Sequence, residues 1–90
     1  MRWTMTATRA EIVRVLPPEL AAGSRIDDGG IRGSSLHGSW ELRFVAAAPL
    51  RIGLLELEVT ELVIRLESYS AQDRLRFLAR LEQYTRRGGG

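Results

Sequence analysis

Ninety residues, 44% hydrophobic and 27% charged, suffice for one globular core and not for two, because a half-sized core would not outweigh chain entropy. The absence of cysteine excludes disulfide stapling, zinc–thiolate centres and thiol nucleophiles. All 13 basic side chains are arginine, yet the net charge is only +2 and acidic residues lie among them, so no uniformly positive surface for a polyanion is expected.

The opening Met1-Arg2-Trp3-Thr4-Met5-Thr6 lacks the apolar centre of a signal peptide. No run approaches membrane-spanning length, so a cytoplasmic chain without membrane contact is expected. Residues 1–7 are read as a flexible end. Thr8-Arg9-Ala10-Glu11 has the form of a capping box, a hydroxyl for the N3 amide and a glutamate reaching back. Ile12, Val13 and Leu16 then share a helical face, and Pro17-Pro18 stop the helix at about Val15 or Leu16. Leu20 continues the packing before Gly23 breaks the chain. Asp28-Gly29, between Ile26 and Ile31, reads as a hairpin tip, and Gly33 to Gly38 as a second turn or loop.

From Trp40 the period is two: Trp40, Leu42 and Phe44 alternate with Glu41 and Arg43, until Ala46-Ala47-Ala48-Pro49 ends the strand. Leu55, Leu57 and Val59 alternate with Glu56, Glu58 and Thr60; then Leu62, Ile64 and Leu66 alternate with Val63 and Arg65. Apolar parity switches from odd to even near Thr60. Since a one-residue slip flips every side chain, a turn or bulge is expected at Glu58–Glu61, the turn being preferred. The last segment is a helix over 70–87, capped at Ser70 and stopped by Gly88. It sets Leu75, Leu78 and Leu81 on an apolar face and Arg76, Arg80, Gln83 and Arg87 opposite. Residues 88–90 are read as a second flexible end. The pattern predicts a single α+β domain over 1–90. Its architecture is a two-layer sandwich, with an antiparallel meander of three to four strands and an N-terminal and a C-terminal helix on one face.

No residue set supplies a catalytic centre, a metal site or a cofactor site. His37, with Ser34, Ser35, Ser39 and Asp27 or Asp28, has the residue types of a hydroxyl–imidazole–carboxylate triad, but nothing in the pattern fixes their geometry. A solvated loop histidine is expected, without a catalytic partner. Gly29 to Ser35 lacks both the lysine and the following helix of a phosphate loop. The tail Gly88-Gly89-Gly90 resembles the ending of ubiquitin-like modifiers and sulfur carriers, but those tails leave a strand and this one leaves a helix. That carrier or modifier role is kept as a remote alternative.

The expected function is a non-enzymatic protein-binding or assembly domain, with homodimerisation as one route. Val45, Leu54 and Val63 are the apolar residues of the nominally polar sheet face, rimmed by Arg43, Arg65, Glu56 and Glu58. The alternative is an accessory nucleic-acid-binding domain using the helix stripe Arg76, Arg80 and Arg87, for which a single Arg-Gly-Gly unit gives limited support.

Overall fold

Local signals set the N-terminal third. In the computed structural model, which describes the backbone of residues 1–21 and 24–89, Thr8 Oγ1 accepts from the Glu11 amide and Glu11 Oε1 from the Thr8 amide, each at 3.2 Å. This capping box opens helix α1, Arg9–Arg14, and Pro18 opens a single turn, α2, Pro18–Ala21. Gly23 lies outside the described residues. Asp27 Oδ1 then accepts from the Gly29 and Gly30 amides at 2.8 and 2.9 Å, closing the turn between β2 (Arg25–Ile26) and β3 (Gly30–Ser35). The Arg9 guanidinium donates to the Asp27 and Asp28 carbonyls, fastening that turn to α1.

The two amide hydrogen bonds hold the Asp27 carboxyl below its ordinary value of 3.8. A depressed carboxylate stabilises the fold above its unfolded-state value and loses that contribution as pH falls. The turn is therefore expected to loosen only below about pH 3.8. The amide shifts of Gly29 and Gly30, followed by NMR, report it, and a midpoint at or above 3.8 would contradict the geometry.

The sheet has five antiparallel strands in the order β1-β5-β4-β3-β2, with β1 at Arg2–Met5, β4 at Gly38–Ile52 and β5 at Leu55–Glu67. Helix α3 follows at Ala71–Gly89. This is an α+β domain with one strand more than the expected maximum of four. Residues 2–5, read as a loose end, pair with Thr60–Val63 of β5 as an edge strand.

The meander differs from expectation in two further ways. Ala46 to Pro49 does not end a strand: β4 continues through it to Ile52 with an irregularity between Ala47 and Leu50. There one extra residue stands on β4, a bulge that accommodates a proline outside the regular ladder. Nor does a turn fall at Glu58–Glu61, since β5 is continuous from Leu55. The chain reverses instead at Gly53-Leu54, where Gly53 takes φ +60°.

Register assigns the faces, because residues directly opposite on paired strands project to the same side. Trp40 pairs with Leu66, Leu42 with Ile64 and Phe44 with Leu62, and Ile31 pairs with Leu42. Buried Ile31, Trp40, Leu42, Leu62 and Ile64 from this inner face form one core with Ile12, Leu16 and Leu20 of the N-terminal segment and Leu81 of α3. Thr60, buried on the same side, donates to the Ala7 carbonyl at 2.7 Å.

Ser70 caps α3, its Oγ accepting from the Asp73 amide at 3.1 Å. The helix buries Leu81 fully and Phe77 and Leu78 in part, whereas Leu75 is 70% exposed and does not belong to the packed face expected for it. A 100° step per residue spreads 75, 78 and 81 over more arc than the core covers, and Leu75 falls off the edge. The helical backbone passes through Gly88 to Gly89, since glycine fits helical as well as left-handed geometry. Gly90 lies outside the described residues.

Candidate functional site

The pairing of β1 with β5 ends at Thr60, and that of β3 with β4 ends at Arg43. Beyond these points, among the described residues, β4 and β5 pair only with each other and form a two-stranded arm. Every residue from Ala48 to Glu58 is exposed. The molecule is accordingly elongated, 47 × 25 × 20 Å, with a radius of gyration of 13.6 Å against about 12 Å for a compact chain of this length.

The arm is two-faced. On the side away from the core, the rungs run Val45–Glu61, Ala47–Val59, Leu50–Leu57 and Ile52–Leu55. The bulge produces this phase. Were the intact strand paired regularly, with no bulge, simple alternation would turn Leu50 and Ile52 inward and Arg51 outward. With it, the Leu and Ile of β4 align with the odd-numbered Leu55, Leu57 and Val59 of β5. On the other side Arg51 lies opposite Glu56, with a 3.6 Å ion pair, and Glu58 alternates onto the same side. The large aliphatic residues of the outer face are wet: Leu50, Ile52, Leu55 and Leu57 are 36–63% exposed.

The residues expected to form an interface divide between two places and the tip. Val45 and Val63 do lie on the outer face, with Arg43 opposite Val63 and Arg65 opposite Glu41. Leu54 is at the tip, in the turn. Glu56 and Glu58 are on the opposite side of the arm from Val45, and so do not rim it. That expectation took Leu55 and Leu57 as the buried row of a separate strand, which reverses the side assigned to their neighbours. The residues that dominate the outer face, Leu50, Ile52, Leu55 and Leu57, were not singled out. Their signal is the odd-parity run of β5, apolar yet out of phase with the even-parity core row.

Nearer the body the outer face becomes charged. Arg25 stands opposite Arg32, Arg32 opposite Glu41, and Glu41 opposite Arg65, around a cleft of about 520 Å³. Glu41 also lies 3.5 Å from Arg43, and Glu61 lies 3.4 Å from Arg2.

The arginine stripe is not a set of equivalent free cations. Arg80 forms a two-toothed ion pair with Glu19 of α2 and stacks over Tyr84, 4.8 Å from the ring centroid. This hydrogen bond depresses the Glu19 carboxyl below its ordinary 4.5. Arg76 lines a groove of about 280 Å³ with Trp40, Tyr69 and Phe77, and the side chain of Arg87 lies outside the described residues.

His37 borders the same groove and has a carboxylate neighbour after all. It is Asp73, at 3.3 Å from Nδ1, and not Asp27 or Asp28, because α3 returns its first turn beside the β3–β4 turn. Ser35 Oγ, however, accepts from the His37 amide at 3.2 Å and lies 3.0 Å from the Tyr69 hydroxyl. Among the described residues no hydrogen bond joins Ser34, Ser35 or Ser39 to the imidazole. The arrangement thus holds a carboxylate–imidazole pair but no activated hydroxyl.

Among the described residues no group of histidine and carboxylates has the geometry to hold a metal ion, and no helix is long and apolar enough to cross a membrane. No family model matches the chain, and neither a curated protein nor a solved structure is similar to it.

Proposed function

We propose that this chain is a non-enzymatic protein-binding or assembly domain whose docking surface is the outer face of the β4–β5 arm. One observation carries this reading: an arm with no covering layer places four large aliphatic side chains, in register, on a single side. An isolated two-stranded ribbon is marginal in water and gains order when its apolar face is covered. The five exposed outer-face residues Val45, Leu50, Ile52, Leu55 and Leu57 together present roughly 400 Å², within the range of the largest patch of a typical monomer, and Leu54 extends it at the tip. In this reading the helices and the inner sheet face form a two-layer body, and that body is the rigid base from which the arm projects. The working compartment is the cytoplasm.

The test is site-specific photocrosslinking in cells of the source organism, with a benzophenone amino acid at position 57 and, as a control, at exposed Leu75 on α3. A discrete protein adduct is expected at 57 and not at 75. No adduct at 57, or the same adduct from both positions, would overturn the assignment of the arm as the docking surface.

A further inference from the structure

Resting on that reading, we infer that the occupant of the arm is a second copy of this chain. The two outer faces stack antiparallel about a two-fold axis through the Leu50–Leu57 rung. The shape of the surface selects a copy of itself, and its charge and area are compatible with one.

The first is shape. Side-chain size along the arm is graded, with Ile52 and Leu55 at the tip rung, Leu50 and Leu57 in the middle, and Ala47 and Val59 at the rung nearer the body. Antiparallel stacking on the middle rung sets each bulky tip rung over the partner copy's small one, so the two layers interdigitate. Parallel stacking would set large on large and small on small.

The second is charge. Two identical surfaces repel wherever one sign prevails, and an isologous contact needs a patch that complements itself. Here the base of the patch is bordered by charges of both signs, Arg2 with Glu61 and both Arg43 and Arg65 around Glu41, an excess of one arginine. In an antiparallel stack the two borders lie at opposite ends of the contact, so this excess sets little repulsion against a copy.

The third is area. The roughly 400 Å² of the five outer-face aliphatic residues, extended by Leu54 at the tip and by the edges of the neighbouring rungs, approaches the approximately 800 Å² per partner of a standard stable interface. A symmetric pair also covers both patches in one contact.

The experiment uses the purified full chain. Light scattering is expected to give twice the chain mass at micromolar concentration. Leu57→Arg is expected to give the single mass, with dimer affinity weakened at least 100-fold. Leu57 is exposed in the isolated chain, so an unchanged far-ultraviolet spectrum and cooperative melting will show that the variant folds. Orientation is read by cross-linking, which the cysteine-free sequence permits. A bismaleimide spanning the roughly 10 Å between stacked sheets should join Ala47→Cys to Ile52→Cys in a mixture several-fold more than it joins either variant to itself. Preferential Ile52→Cys self-linking would overturn the antiparallel arrangement. A wild-type chain that stays monomeric at every concentration would overturn the inference itself. The position-57 adduct separates the two readings: a different protein trapped there leaves the docking surface standing, and nothing trapped removes both.

Discussion

Truncating Leu81 to alanine is expected to cost about 3–5 kcal/mol, the upper range for a leucine whose cavity cannot collapse. Leu81 has no exposed surface and stands where α3 meets the N-terminal segment and the inner sheet face. A domain of this size has roughly 5–10 kcal/mol in total, so the variant should sit near the edge of unfolding at room temperature. The same helix supplies its own controls. Leu78→Ala should cost less, because that side chain is only partly buried, and Leu75→Ala should fall within about 0.5 kcal/mol of wild type. Denaturant midpoints for the three variants check the order 81, 78, 75. Equal losses would mean that α3 is rotated about its axis.

Exchanging two adjacent arm residues, Leu50→Arg with Arg51→Leu, should abolish association while leaving composition and net charge untouched. The swap puts an unpaired guanidinium at the middle of the apolar row and removes the partner of Glu56. Burying that charge costs about 3–5 kcal/mol, equivalent to a loss of at least 100-fold in affinity. Deleting Ala48 is the matched control. It restores regular pairing but keeps Leu50 opposite Leu57, so the outer row survives and the mass in solution should not change. If the swap associates like wild type, the apolar phase of the arm is not what holds the copies together. Analytical ultracentrifugation of both variants gives the answer.

Several elements are legible in the sequence because their signals are local. The Thr8–Glu11 box, the aspartate–glycine turn and the capped final helix each depend on a few neighbouring residues. The arm was not legible, for a specific reason. Alternation reports which residues are apolar and is silent about which side is covered. A parity change near Thr60 implies a change of direction only if the apolar side always faces the helices. β5 is continuous, and it is the apolar side that changes, inward at Leu62 and Ile64 and outward at Leu55 and Leu57. Ala46 to Pro49 misled for a related reason, since a proline that a bulge accommodates looks in sequence like a strand end. Hence Val45 and Val63 were singled out, whereas Leu50 and Ile52, lying past that apparent end, were not. Strand β1 offers only Trp3 and Met5 as alternating apolar residues, too short a run to separate from an irregular terminus.

The charges on the arm's second side bear on how far assembly can go. Leu55-Glu56-Leu57-Glu58-Val59 is an extended, β-favouring segment in a ribbon whose two margins pair with no other strand among the described residues, the kind of template on which strands add indefinitely. Glu56, Glu58 and Arg51 leave only one side of the ribbon apolar, and Pro49 in the bulge has no amide to offer an added strand. Were the apolar side covered in a pair, no apolar face of the arm would be left to recruit a third copy, and growth would stop there. Replacing Glu56 and Glu58 with valine would remove that stop and turn a finite contact into the start of a fibre.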